Sequence, residues 1–389
     1  MNQVTVLSQL FQLLPRDAFN RVVKKHQSDK HSKGISTWDH MVSMIYAHVA
    51  DAQSLRDISN GLRSTLGNRS HLGLGRVPSK SSLSYLNEHR DWRVFMDYYF
   101  ELYDHLKIKG LPRRAHLKNI RRKLYLLDAS VIPLCLSLYD WAVYRSKKGG
   151  IKLHTTLDYD GLLPVFCDLT DAQTHEVTIA RTQVYPKGSV LVFDRGYTDF
   201  DWWNVLDSTG VFFVTRAKSN LDYRIVQEHQ VPYKYRESIK GDYTIQLLSD
   251  QGKRSGLKPL RLVRFYDKEL DRSFEFITNQ RFWTASDVAL AYKERWHIEV
   301  FFKFIKQNLS IKSFVGTSPN AVLTQIWTGL IAFLLLKYLQ HKAAYKWALS
   351  NLVSFIRLAC FAKVSLIKWL DHPFEVEKPP PKATALTLF

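Results

Sequence analysis

"GIKLHTTLDYDGLLPVFCDLT", residues 150–170, reads as two β-strands joined by a turn at Asp160-Gly161. Asp-Gly between apolar runs is a hairpin signal, although this loop is longer than the minimal two residues. Upstream, "LYLLDAS" (124–130) is a short apolar run ending in Asp128. Downstream, "DAQTHEVTIARTQV" (171–184) reads as a helix, and "SVLVFDRGY" (189–197) as another apolar strand ending in Asp194. The order is therefore strand, two-stranded hairpin, helix, strand.

That order is the one found in a ribonuclease-H-like core, an α/β layer arrangement. From 211 to 282 the chain reads as further strands, "VFFVTRAK", "YTIQLLSD", "LRLVRFYD" and "RSFEFITN", which together form a β-rich insertion. Residues 1–104 read as an all-helical domain. "STWDHMVSMIYAHVADAQ" opens with a Ser/Thr cap signal, and "SLRDISNGLRS" with "SKSSLSYLNEHRDW" has the makings of a helix-turn-helix that binds DNA. The expected organisation is a DNA-binding domain over 1–104, the first part of the core over 105–210, and the insertion over 211–282. The rest of the core and C-terminal helices follow over 283–372. A disordered tail over 373–389 ends in "KPPPKATALTLF".

The 389 residues are 46% hydrophobic, enough to bury a large core, and carry a formal net charge of +19. With a pI of about 9.7, this excess points to a polyanionic partner, and nucleic acid is favoured. The dense cationic run 105–123, "HLKIKGLPRRAHLKNIRRK", is a place for phosphate contact. The longest apolar run, "IWTGLIAFLLL" (326–336), is too short to span a bilayer and reads as a buried helix. Cys135, Cys167 and Cys360 have no paired spacing, so they read as reduced thiols of a cytoplasmic protein with no membrane association.

Asp128 and Asp194 each close an apolar run, where a carboxylate is costly without a partner. Each could be a turn residue. On adjacent strands of the expected sheet they would instead face each other, and a divalent cation would relieve their repulsion; hard oxygen donors suit magnesium or manganese. A third acid comes from "AYKERWHIEVFFKFIKQNL" (291–309), where Tyr292, Arg295, Glu299 and Lys306 have the spacing Y-x2-R-x3-E-x6-K. At about 100° per residue the last three fall roughly −60°, −20° and −40° from Tyr292, one narrow stripe. Leu290, Ile298, Phe301 and Ile305 fall on the opposite side, which can pack on a core. Taken alone, this is an amphipathic helix whose cations pair with Glu299.

The tetrad, the two aspartates in order and the β-rich stretch between them resemble the DDE transposases of bacterial insertion sequences, specifically the family-four group named for its YREK signature. "LLDASVI", "GIKLHTTLD" and "VFDRGYTDF" are similar to that family's blocks around the first two acids. The resemblance implies that Asp128, Asp194 and Glu299 are catalytic and hold two Mg2+ or Mn2+ ions. It also implies double-stranded DNA as partner, both transposon ends and target, with a homodimer in the synaptic complex. Cleavage would free a 3′-OH, which forms a hairpin on the opposite strand and is later joined to target. Tyr292, Arg295 and Lys306 would grip the strand end, with Trp296 or Trp283 as platform for a displaced base. Arg195, Lys152 and His154 are further candidate phosphate contacts, while His175 and Glu176 lie nearby without an assigned role. A ribonuclease-H-like nuclease that cuts without joining would share the three acids, and an inactive DNA-binding remnant could retain them.

Overall fold

The computed structural model describes residues 4–30, 32, 34–64, 70–108, 120–134, 149–309, 311 and 313–374. Most of the cationic run, Cys135 and the tail from 375 therefore lie outside the described residues. The N-terminal region forms α1 (Val6–Phe11), α2 (Arg16–Lys25), α3 (Thr37–Ala50), α4 (Leu55–Arg63), α5 (Lys80–His89) and α6 (Arg93–Ile108). The expected Ser/Thr signal starts α3, and serines start two further helices. Ser36 forms a capping box with Asp39 at α3, Ser54 accepts from the Asp57 N–H at α4, and Ser79 from the Ser82 N–H at α5.

The fold is mixed α/β around one large sheet. Strands β1 (Leu124–Leu134), β2 (Gly149–Asp158) and β3 (Leu163–Asp171) form an antiparallel meander. The helix expected over 171–184 shrinks to α7 (Glu176–Ala180). β4 (Val190–Val192) then lies parallel to β1, and after α8 (Phe200–Ser208) β5 (Phe212–Arg216) lies parallel to β4. β5 falls in the stretch assigned to the insertion, yet it continues the parallel part of the sheet. The remaining strands are β6 (Tyr223–Glu228), β7 (Ile239–Leu247), β8 (Leu260–Asp267) and β9 (Arg272–Thr278), with α9 (Asp250–Arg254) between β7 and β8. They form no separate layer. β9 pairs antiparallel with β5, and the nine strands run in the order β3-β2-β1-β4-β5-β9-β8-β7-β6.

Alternation along the strands divides the core in two. Leu124 and Leu126 of β1 share a face with Val190 and Val192 of β4. Leu127, Leu191, Phe193 and Phe213 point the other way, under Trp202, Trp203 and Leu206 of α8. On the first face lie α10 (Ala285–Lys293) and α11 (Trp296–Asn308), and behind them α12 (Pro319–Lys342), α13 (Leu349–Ala359) and α14 (Leu366–Asp371) join the N-terminal helices in the same core.

The apolar run 326–336 is the middle of α12, which at 24 residues is long and apolar enough to cross a membrane but is mostly buried inside the protein. A helix apolar all round belongs in a core, and both terminal regions supply one. Trp327 stacks on Trp92 at 6.4 Å and meets Tyr99 and Phe100 of α6. The N–H groups of Val6 and Leu7 donate to the carbonyls of Ala362 and Cys360. Cys167 and Cys360 are free and buried.

Candidate active site between β1, β4 and α11

Asp128 is not at the end of its strand. β1 runs on to Leu134 because β2 continues to pair with it, Asp128 lying opposite Thr155. What ends near Asp128 is the contact with β4, whose pairing stops at Leu126↔Val192. Two residues beyond that pair stand Asp128, still on β1, and Asp194, just past the end of β4. Since side chains alternate, both acids lie in line with Leu126 and Val192, on the face covered by α11. Asp194 begins a 3₁₀ turn, Arg195–Tyr197, and its Oδ1 accepts the Gly196 N–H at 2.8 Å. A Cβ on Gly196 would sit 2.9 Å from that oxygen and would push the carboxylate out of this position.

The stretch read as one helix is two. α10 ends at Lys293 and α11 starts at Trp296, with Glu294 and Arg295 still right-handed between them. The ladder tightens there to i→i−3 bonds, from Arg295 to Tyr292 and from Ile298 to Arg295. Ile298, Phe301 and Ile305 are buried as their spacing required, but Leu290, on the other side of the break, is exposed.

Arg295 sits at this break with its side chain 16% exposed. Its Nη1 donates to Asp128 Oδ2 at 3.1 Å and its Nη2 to Glu299 Oε1. Burial pushes the Asp128 carboxyl up to about 6; Arg295 and the Ala129 N–H pull against this, while Asp194 and Glu299 add to it. At Asp128, burial therefore outweighs the pull of Arg295, and the nearby charges of Asp194 and Glu299 work in the same direction as burial. Further along α11, Lys306 donates to Ser130 Oγ and to the Val131 carbonyl, both at 2.7 Å, and so ties the helix to β1.

Three carboxylates of this kind are a donor set for hard divalent cations. Among the described residues, however, no three His, Cys, Asp or Glu side chains lie close enough together to share an ion. Arg295 occupies the space between Asp128 and Glu299 instead.

Tyr292 packs on Phe276 at 4.7 Å and lies beside Arg295. Next to it opens a cavity of about 690 Å³ lined by Phe265, Phe274, Phe276, Arg216 and Trp296. Trp296 is 61% exposed at the rim, whereas Trp283 is half-buried and its carbonyl accepts from Arg261. Arg195 is exposed beside Asp194.

Lys152 is buried, its ammonium 2.8 Å from both Glu176 Oε1 and the Thr174 carbonyl. This ion pair also accounts for Glu176, whose carboxyl burial would raise but Lys152 holds below its usual range. His154 is buried with Nε2 on Thr170 Oγ1, and burial lowers its pKa to about 4, that of a neutral core histidine. His175 precedes α7 without capping it. Sequence reading missed Gly196 and Ser130. For Gly196 the signal was present, a glycine two residues after the acid that closes a strand.

The comparisons with known proteins agree with one another. The description "Transposase DDE domain" matches residues 120–335, and a domain of unknown function matches residues 2–75. The chain is 33% identical over 263 residues to y4zB of Sinorhizobium fredii, described as a transposase, covering 67% of this chain and 71% of that protein. It is 24% identical over 300 residues to a Synechocystis protein described as a transposase for insertion sequence element IS4SA, 76% and 82% of the two chains. The piggyBac transposase synaptic complex with hairpin DNA aligns at 12% identity over 98% of this chain and 84% of that one, but with a TM-score of 0.45 it carries no weight for the fold. A matched domain spanning more than half the chain and a relative at this identity are sufficient: the chain belongs to the DDE transposases and is a DNA transposase enzyme.

Proposed function

We propose that this transposase binds the terminal inverted repeats of an insertion sequence as duplex DNA, cleaves them through a hairpin and joins the freed 3′-OH to target. In this reading β1–β5 with α11 form the ribonuclease-H-like core, and β6–β9 are the insertion built onto its sheet. Asp128, Asp194 and Glu299 would hold Mg2+ or Mn2+. When bound, two such ions supply activation of the attacking oxygen and neutralisation of the leaving one. The observation that carries the reading is the register Leu126↔Val192, because it sets two acids abreast on the face where α11 brings a third.

The chain's own residues then position the strand. Lys306 fixes α11 against β1 and with it the height of Glu299 over Asp128. Gly196 fixes the rotation of the Asp194 carboxylate. Tyr292 and Arg295 supply a hydroxyl and a guanidinium fork for a phosphate, and exposed Arg195 offers a further cation. Trp296, exposed beside an aromatic cavity, is better placed than Trp283 to stack a displaced base. Two such chains would pair the two ends in a homodimeric complex, and α4–α5 would contribute to end binding.

The test is an assay on duplexes carrying the element's own termini, scored separately for cleavage and for strand transfer from pre-cleaved ends. Asp128→Asn, Asp194→Asn and Glu299→Gln should each lose more than about a hundredfold in both steps, since even the supporting partners of metal ligands are worth about 10–100-fold. End binding should remain. Normal cleavage by Asp194→Asn would refute the assignment, and cleavage without strand transfer by the unaltered protein would leave a nuclease.

A further inference from the structure

We propose that Arg295 is a placeholder cation. In the DNA-free protein it holds Asp128 and Glu299 together in place of a divalent ion, and it releases them when a DNA phosphate draws its guanidinium away. Metal loading and DNA-end binding are then coupled through one side chain. The inference rests on the reading of the three acids as metal ligands and adds the order in which that site is assembled.

Three observations support it. The guanidinium bridges an acid on β1 and an acid on α11, whose charges repel each other without it. Its fork is half used, because Arg295 Nε is buried without a partner among the described residues. Nη1 and Nη2 each meet a different carboxylate and the guanidinium lies beside the Tyr292 hydroxyl, whereas the two non-bridging oxygens of one phosphate can take Nε and a neighbouring Nη together as a bidentate fork. Third, Arg295 stands where the helical ladder is interrupted, between α10 and α11. Its side chain thus leaves the chain at the start of α11, one turn before Glu299.

A divalent ion held by the same two carboxylates would lie within a few ångströms of the guanidinium, and like charges at that range in a half-buried site repel strongly. The two occupants therefore exclude each other. Coupling of this kind is reciprocal: the factor by which DNA tightens metal binding is the factor by which metal tightens DNA binding.

The experiment measures Mn2+ binding to the full chain by electron paramagnetic resonance of the free ion, with and without duplex DNA from the element's termini. The unaltered protein should bind Mn2+ at least tenfold more weakly without DNA than with it. Arg295→Gln should bind Mn2+ without DNA at least tenfold more tightly than the unaltered protein, with little further gain from DNA. Arg295→Lys, which keeps a charge but loses the fork, should fall between; thermal unfolding identifies any variant that is not folded. Adding Asp128→Asn to Arg295→Gln should abolish the gained binding. If folded Arg295→Gln and Arg295→Lys bind Mn2+ no tighter than the unaltered protein, the placeholder role is overturned. If the unaltered protein binds no Mn2+ even with DNA, the reading of the three acids falls, and this proposal with it.

Discussion

Lys152 and Arg295 are both cations beside carboxylates, and their surroundings differ. Lys152 is buried on β2 with its ammonium spent on Glu176 and Thr174. Removing one partner of a buried ion pair costs about 3–5 kcal/mol; because Glu176 is partly exposed, Lys152→Ala should cost ~2 kcal/mol in urea unfolding. DNA affinity should stay within about twofold of the unaltered protein, as expected for a group that makes no phosphate contact. The reverse result, unchanged stability and weakened binding, would return Lys152 to the DNA-binding face. Sequence could not separate these cases, since the spacing of Lys152 and Glu176 says nothing about which loop folds over which strand. Asp128 and Asp194 were legible for a different reason. An acid directly after an apolar run conflicts with its surroundings, and the conflict is visible before any fold is known.

At the scale of elements, the Tyr292–Lys306 stripe survived the break between α10 and α11 because the intervening residues remain right-handed. The break itself was not legible: it comes from a change in hydrogen-bond partner, not from a glycine or proline. The length of β1 was missed because burial on one face lapses after Asp128 while pairing with β2 goes on. A neighbouring contact is open to measurement. His48 of α3 lies between the carbonyls of Leu309 and Gln325, at 2.6 and 2.9 Å, where α11 ends and α12 passes. Burial lowers its pKa to about 4, against the pull of those two carbonyls. The neutral ring has a single N–H, which Nδ1 gives to the Leu309 carbonyl, leaving Nε2 to face the Thr328 hydroxyl at 3.2 Å; the unfolded chain, titrating near 6.5, would take a second proton. The stabilisation is complete above pH 6.5 and is lost as pH falls toward 4, up to ~3 kcal/mol. His48→Gln should therefore show a smaller loss of unfolding free energy than the unaltered protein between pH 7 and about 4.5. Parallel losses in the two proteins would show that His48 takes no part in the acid sensitivity.

For the whole molecule, charge was readable and long-range packing was not. With a formal net charge of +19, DNA binding should be driven by counterion release. A protein contacting about 6–10 phosphates loses roughly 10³–10⁵ in affinity between about 50 and 200 mM salt. A loss under about tenfold in a salt titration of end binding would deny the basic surface that role. The packing leads to a sharper expectation. The sequence marked both terminal regions as helical, but nothing in it says that α12 is shared between them, because the partners lie more than two hundred positions apart. In the fold, Trp327 is covered by Trp92, Tyr99 and Phe100, His48 sits against Thr328, and α1 hydrogen-bonds to the segment after α13. Each large apolar side chain uncovered forfeits about 1.5–3 kcal/mol, and a domain of ordinary stability has only about 5–15 kcal/mol in hand. The fragment 105–389, although it holds the three acids and the entire sheet, should therefore lack a cooperative thermal transition and should bind a hydrophobic dye. Mixing it with fragment 1–104 should restore both the transition and dye exclusion. If 105–389 alone melted cooperatively within a few degrees of the full chain, the N-terminal helices would be an appended module, and their contacts to α12 would contribute little to stability.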